Sequence, residues 1–257
     1  MNLEAAARRV DHAARRGNAI EQLSANELFS VAEAYRIQRA SIELRKARGE
    51  RVIGIKLGFT SRAKMVQMGV DSLICGWLTD AMLEEEGAPV DLKRFIHPRV
   101  EPEVCFLTKR AIDRSLTALE VQTYLEAVAP AMEIIDSRYK AFRFTLEDVI
   151  ADNCSSAGLV VGGWSSRFDL LRNAGVIMRF DGRDVQVGTT AAILGDPLRS
   201  IVQASRMADN AEVVLPAGTL IMAGAATAAQ ALTPSLHVQC IVSGLGQAAF
   251  TTQNTGR

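Results

Sequence analysis

His97-Pro-Arg-Val-Glu101-Pro-Glu103-Val-Cys-Phe-Leu107 carries two carboxylates, two residues apart, at the head of an apolar run. Read as a β-strand, its period of two sets Glu101 and Glu103 on one face. Their Cβ atoms are then roughly 6.5 to 7 Å apart, close enough for both carboxylates to reach a single cation and repulsive without one. A third acid, Glu133, interrupts Ala129-Pro-Ala-Met-Glu-Ile-Ile-Asp136, a second apolar strand in which an unpaired charge is costly or neutralised. Three inward carboxylates make a hard oxygen site that favours magnesium or manganese, with positions open to water or a substrate oxygen. Spacing alone leaves a plainer reading open: an edge strand, which Pro102 permits, whose acids face water and pair with Arg99 or Arg138.

Outward from this stretch, short runs of Val, Ile, Leu and Phe broken by Gly and Pro predict further strands. They fall at Val52 to Leu57, Gly158 to Gly163, Gly175 to Phe180, Val185 to Thr190, Thr219 to Ala223 and His237 to Ile241. Asp181-Gly182 between two of them suits the positive backbone angles of a type I′ hairpin turn. Helical patches at Ser61 to Met68, Ser115 to Ala127, Leu146 to Ile150 and Pro197 to Ala208 do not alternate regularly with the strands, which excludes a doubly wound fold. Before Arg51 the texture is helical: Ala5 to Arg16 forms one helix, and Ser24-Ala-Asn-Glu27 reads as a capping box opening a second. In that second helix Leu28, Val31, Tyr35 and Ile42 make an apolar stripe, with Arg36, Arg39, Arg45 and Arg48 on a solvated face. The expected class is α+β, with a helical N-terminal segment over residues 1–50 packed as one unit with a β-rich metal-binding body over 51–257. Residues 251–257 are expected to fray.

Of 257 residues, 48% are apolar, enough for a buried core, and 29 basic residues balance 29 acidic ones. That balance argues against nucleic acid as a partner. No apolar stretch approaches the roughly 20 residues that span a bilayer, and the charged N-terminus lacks the pattern of a secretory signal, so a cytoplasmic enzyme is expected. Cys75, Cys105, Cys154 and Cys240 lack metal-binding spacing and read as small core hydrophobes. His97 and His237 read as structural, and no G-x-S-x-G elbow, phosphate loop or dinucleotide fingerprint is present.

A lone lysine interrupts Val52-Ile-Gly-Ile-Lys56-Leu-Gly58-Phe-Thr60-Ser61. Buried in a strand, Lys56 needs a partner or a task. With Thr60 and Ser61 capping a helix over Arg62 to Met68, the lysine and that helix N-terminus would form an anion pocket; the alternative is that Lys56 merely pairs with one of the acids. Ala151-Asp152-Asn153-Cys154-Ser155-Ser156-Ala-Gly158 packs small polar groups before an apolar strand and is readable as a turn alone.

GIKLGFTS, KMVQMGVDS, HPRVEPEV, EIIDSRY, VIADNCSS, AILGDP and PAGTLIMAG, in this order from about Glu27 to Phe250, resemble the 2-keto-4-pentenoate hydratase and 4-oxalocrotonate decarboxylase family. The resemblance implies a fumarylacetoacetate hydrolase-like fold, a mixed β-sandwich or roll, that uses magnesium or manganese. It implies Glu101, Glu103 and Glu133 as metal ligands, Lys56 as the active-site lysine, Asp80 as an acid near the substrate and Ser155 in the pocket wall. Leu57, Leu78 and Leu159 would form an apolar wall keeping water from the reacting centre, with Ser61 beside the substrate.

Lys64-Met-Val-Gln-Met68-Gly69, Tyr139 to Phe144 and Gly224-Ala-Ala-Thr227-Ala-Ala lean toward the decarboxylases, whereas Pro102 and Ser155 to Gly163 are closer to the hydratases. The expected reaction is decarboxylation of 2-oxohex-3-enedioate to 2-hydroxypenta-2,4-dienoate and carbon dioxide, in meta-cleavage aromatic catabolism. The alternatives are hydration of 2-hydroxypenta-2,4-dienoate to 4-hydroxy-2-oxopentanoate, C–C bond hydrolysis on the same fold, and a non-catalytic metal-binding partner. A small 2-oxo acid substrate, a homo-oligomer and a complex with the pathway hydratase complete the expectation.

Overall fold

A computed structural model describes residues 1–61, 65–66 and 73–253 of the chain. Two helices lead, α1 (Leu3–Arg16) and α2 (Val31–Ala47), followed by β1 (Val52–Gly58), β2 (Ile74–Thr79), β3 (Leu83–Glu84) and β4 (Pro89–Val90). The long strands β5 (Arg99–Thr108) and β6 (Leu125–Ile135) come next, then α3 (Leu146–Ala151) and β7 (Ser156–Val161). The hairpin β8 (Gly175–Phe180) and β9 (Arg183–Thr189), α4 (Leu198–Asn210), β10 (Leu220–Met222), β11 (Gln230–Ala231), β12 (His237–Val242) and β13 (Gly246–Thr252) complete it.

The strands form two mixed sheets, one in the order β2-β1-β10-β5-β6-β7-β3 with β11 also on β5, the other in the order β4-β13-β12-β8-β9. One core cluster joins them, with Val104, Phe106 and Met132 of the larger sheet meeting Val238, Cys240 and Phe250 of the smaller. Each such buried side chain contributes roughly 1.5–3 kcal/mol of hydrophobic stabilisation. The hairpin turn has Asp181 at φ 50° and Gly182 at φ 77°, as Asp-Gly predicts. All four cysteines are free thiols, three of them buried.

The edge-strand reading of Glu101 and Glu103 fails, because β5 lies inside the larger sheet. Pro102 is accommodated there by a gap. The Pro102 carbonyl accepts from the Ala226 N–H, so its nitrogen also faces the side of β10 and β11. Those strands pair only with Cys105 to Leu107 and with Arg99 and Val100, leaving no ladder acceptor opposite the missing donor.

The N-terminal helices share a second core cluster with the body, in which Ala6, Val10, Leu23, Ala34 and Ile37 meet Tyr139, Val149 and Ile150. The start of α2 differs from expectation. Its capping box is Ser30 with Glu33, while Ser24 is captured by the buried Asp148, donating its hydroxyl (2.6 Å) and backbone N–H (3.0 Å). Leu28 is consequently 87% exposed, and the buried stripe is Ala34, Ile37, Gln38, Ser41 and Ile42. Nor is Arg45 on a solvated face, since its side chain is only 12% exposed.

Three further expectations change. Ser115 to Ala127 holds a single 3-10 turn (Val121–Tyr124) before β6 begins. Strand β2 was not foreseen, and residues 251–252 belong to β13, where the buried Thr252 hydroxyl donates to the Thr233 carbonyl at 2.7 Å. The helix expected over Ser61 to Met68 lies largely outside the described residues. Among the described residues no helix is long and apolar enough to cross a membrane.

Arg138 and Asp152 form a fully buried pair that fastens the end of β6 to the turn before β7. The guanidinium donates through Nε to Asp152 Oδ1 and through Nη1 to the Ser156 carbonyl (3.2 Å), and the Arg138 backbone N–H reaches Asp152 Oδ2 (2.9 Å). Burial, opposed by Arg138, pushes the Asp152 carboxyl up from its ordinary 3.8 to about 6. Proton uptake therefore favours the folded state: the stability from this group is full below about 4 and is lost as pH rises through about 6. Arg138→Met leaves the carboxylate unpaired and is expected to cost about 3–5 kcal/mol in urea unfolding at pH 8, and less at pH 5, where Asp152 is protonated.

Candidate active site

The β5–β6 ladder places Glu101 directly opposite Glu133, and Glu103 opposite Ala131. Across the sheet Glu133 faces Leu159 of β7, while Cys105 faces Met222 of β10, which in turn faces Lys56 of β1. Strand alternation thus puts the three acids and Lys56 on one face of the larger sheet. One oxygen from each of Glu101, Glu103 and Glu133 lies within 4.8 Å of the others. Like charges opposite one another in a ladder are destabilising, so such a cluster calls for a cation.

Lys56 supplies one. Its Nζ donates to Glu133 Oε2 at 2.9 Å, and both side chains are buried. Burial alone would lower the Lys56 pKa, but the Glu133 carboxylate, backed by Glu101 and Glu103, outweighs it and raises the pKa. The Ser156 hydroxyl donates to Glu133 Oε1 at 2.8 Å. Glu103 takes one bond at Oε2, from the Gly224 N–H at 2.8 Å, while its buried Oε1 has no hydrogen-bond partner among the described residues. Burial, with Glu133 and Glu101 nearby, raises the Glu103 pKa well above the carboxylate range, although Lys56 and the Gly224 N–H oppose it. Three carboxylates and one ammonium leave a formal charge of −2. An all-oxygen donor set, an orphaned carboxylate oxygen and that charge fit a hard divalent cation.

This face opens into a cavity of about 400 Å³ lined by Lys56, Leu57, Ser61, Glu101 and Ser155 among the residues expected from sequence. Phe142 and Phe144 add an apolar wall, with Phe142 packed at a 41° tilt against His97, 5.0 Å between ring centroids, and under the Arg99 guanidinium at 4.8 Å. The anion pocket expected at the N-terminus of a helix over Arg62 to Met68 lies outside the described residues.

Three expected site residues are elsewhere. Asp80 does not line the cavity: its carboxylate is occupied by Arg51, accepting from the backbone N–H and from Nε, each at 2.9 Å. Leu78 and Leu159 share the face of the acids but do not line the cavity, being sealed with Met82, Cys105, Ala131 and Met222 in a small core beside them.

The turn before β7 is strained. Asn153, Cys154 and Ser155 all have positive φ, at 49°, 54° and 59°, in a region that costs side-chain-bearing residues roughly 1–2 kcal/mol each. Asn153 holds the turn through paired bonds with the Trp77 backbone, both 2.8 Å, and the Ser155 carbonyl accepts from the Asp136 N–H at 2.8 Å. Gly76 in β2 makes the approach feasible, since an added Cβ would lie 2.7 Å from the Asn153 carbonyl oxygen. The result is two adjacent hydroxyls with separate fates: Ser156 bonds Glu133, and the buried Ser155 hydroxyl, in the cavity wall, has no partner among the described residues. Sequence reading missed Ser156 and Gly224; the Ser155-Ser156 pair and the glycine just past an apolar strand were the available signals.

Residues 51–253 match the family described as fumarylacetoacetate (FAA) hydrolase, C-terminal. The chain is 52% identical over 252 residues to a 4-oxalocrotonate decarboxylase of Pseudomonas sp, covering 98% of each. It is 34% identical over 221 residues to a 2-keto-4-pentenoate hydratase of Paraburkholderia xenovorans, covering 85% of this chain and 82% of that one. Among solved structures, a 4-oxalocrotonate decarboxylase from Pseudomonas putida G7, complexed with magnesium and adipate, superposes with a TM-score of 0.94 at 34% identity, covering 97% of each chain. On sequence and on fold together, this chain belongs to the fumarylacetoacetate hydrolase family.

Proposed function

We propose that the chain is a magnesium- or manganese-dependent decarboxylase that converts 2-oxohex-3-enedioate into 2-hydroxypenta-2,4-dienoate and carbon dioxide. The observation that carries this reading is the near-full-length 52% identity to a decarboxylase, against 34% to a hydratase. Adipate in the related magnesium complex is a six-carbon dicarboxylate, as is the proposed substrate.

Glu101, Glu103 and Glu133 hold the ion, and a divalent cation bound there supplies Lewis-acid stabilisation of negative charge on the substrate's 2-oxo group. The C5–C6 bond breaks and releases carbon dioxide. Its electron pair forms C4=C5, the former C3=C4 pair moves to C2=C3, and the C2 oxygen takes up the charge, then a proton from solvent to give the 2-hydroxy product. Lys56, held in place by Glu133, donates from Nζ toward that oxygen, and stabilisation by a preorganised buried donor acts where the charge develops. Ser155 offers its unpartnered hydroxyl to the substrate, with Ser61 further along the wall. Leu57, Phe142 and Phe144 exclude the water that a hydratase would have to admit. Asp80, committed to Arg51, is left out of this scheme.

Ser156→Ala removes a bond to Glu133 without touching the cavity and is expected to weaken divalent-ion affinity roughly 10–100-fold, measured by calorimetric titration. The reading itself is tested by offering 2-oxohex-3-enedioate and 2-hydroxypenta-2,4-dienoate separately and following both by NMR. Consumption of the first supports it; consumption of the second alone, giving 4-hydroxy-2-oxopentanoate, moves the assignment to the hydratase. The same proposal places the enzyme in the cytoplasm, as a homo-oligomer able to associate with the pathway hydratase.

A further inference from the structure

A second cavity, of about 230 Å³, lies between the α1–α2 pair and the β body and shares no lining residue with the cavity of Lys56. Arginines outnumber acids in its walls, five to three. Most of these charges are spoken for. Arg48 grips Asp11 with two bonds, of 2.8 and 2.7 Å, Arg94 bonds Glu84 at 2.7 Å, and Arg138 is taken by Asp152. Asp136 accepts the backbone N–H groups of Ile96 and His97, both at 2.8 Å, and Glu50 accepts the Thr79 hydroxyl at 2.6 Å.

Arg45 is held more loosely. Its side chain is 12% exposed, and its one ion pair among the described residues is a long one, Nη1 to Glu50 at 3.9 Å, while its buried Nε has no hydrogen-bond acceptor among them. Burial, with Arg138 beside it, lowers the Arg45 pKa against the opposing pull of Glu50 and Asp11. A buried guanidinium N–H without an acceptor is costly, and the planar fork matches two oxygens of one anion. Arg15, exposed on the cavity wall and without an ion pair among the described residues, adds a second positive charge at the entrance.

We propose that this cavity binds a small oxyanion, a carboxylate or a phosphate, on the incompletely satisfied guanidinium of Arg45 with Arg15 at the rim. The bound anion ties α2 to the body at the junction where Arg45 and Arg138 meet.

The full chain, freed of metal by chelation and desalting, is titrated separately with inorganic phosphate and with succinate, at ionic strength held constant with chloride, and its Tm recorded. At least one probe is expected to raise Tm saturably, by roughly 5 °C at about 100 times its dissociation constant. Phosphate alone, succinate alone or both acting each support the site and identify its preferred anion. Arg45→Met is expected to abolish the rise and, without anion, to unfold at a higher temperature than the wild type, because a buried and weakly compensated charge is gone. Arg15→Gln is expected to keep the rise but need several-fold more anion, and it carries the test if Arg45→Met does not fold. No saturable rise with either probe, or an undiminished rise in Arg45→Met, overturns the proposal, as does an undiminished affinity in Arg15→Gln where that variant alone is available.

Discussion

Glu103→Gln is expected to lower divalent-ion affinity and turnover together by about 10²-fold or more while making the metal-free protein more stable. The two halves have one cause. Glu103 is buried beside two other carboxylates, and Oε1 lacks any donor, so without a cation its charge is a burden on the fold. The amide keeps an oxygen for the Gly224 N–H and can donate toward Glu133, removing repulsion without leaving a void. Relief of that repulsion should raise the Tm of the metal-free form by roughly 2–4 °C per kcal/mol. Because burial raises its pKa in the folded state, the wild-type carboxylate contributes its stability below the ordinary carboxylate range and loses it as pH rises through the raised value. The Gln variant should show no such decline, so its advantage grows with pH. Outer-sphere changes alone cost roughly 10–100-fold in metal affinity, which makes a ligand change at least as severe. Thermal melts and calorimetry with and without the ion read both effects; a variant that binds the ion normally removes Glu103 from the ligand set.

Lys56→Met should fail in the opposite way, with turnover reduced by about 10²–10³-fold while the ion is held as tightly or more so. Methionine fills much of the space of the lysine stem, but the cluster's formal charge passes from −2 to −3 when the ammonium is lost. Among the described residues Glu133 then keeps the Ser156 hydroxyl alone, so the metal-free variant is destabilised and the ion restores it. Turnover retained in Lys56→Met would assign the lysine to charge balance alone. A fall in ion affinity equal to the fall in turnover would make it a support of the ligands and not a donor to the substrate.

The two carboxylate strands and the lysine strand were legible because each carries its charged residue at a fixed phase of a two-residue alternation, which survives whatever the sheet does around it. Asp80 and Leu78 were not, since their partners are set by the β1–β2 ladder, and local sequence did not reveal β2. Nothing near Asp80 in the chain announces that Arg51, 29 residues earlier, lies beside it and takes its carboxylate. Ser24 misled for a similar reason: its capping pattern is sound locally, but Asp148, 124 residues on, is a better acceptor. Ser156 was hidden behind Ser155 because three left-handed residues invert the direction in which those hydroxyls point, and no periodicity encodes that. Arg45 read as solvent-facing because helical phase shows which residues share a face, and only the docked body shows which face is covered.

If a divalent ion held by three glutamates, with Lys56 beside it, serves the loss of one carboxylate from a dicarboxylic 2-oxo acid, carbon dioxide release from 2-oxohex-3-enedioate must follow the ion. With magnesium added to the metal-free protein and then removed with EDTA, release is expected to start with magnesium, stop with EDTA and match the formation of 2-hydroxypenta-2,4-dienoate mole for mole. No release, or release indifferent to the ion, would remove the metal-assisted decarboxylation.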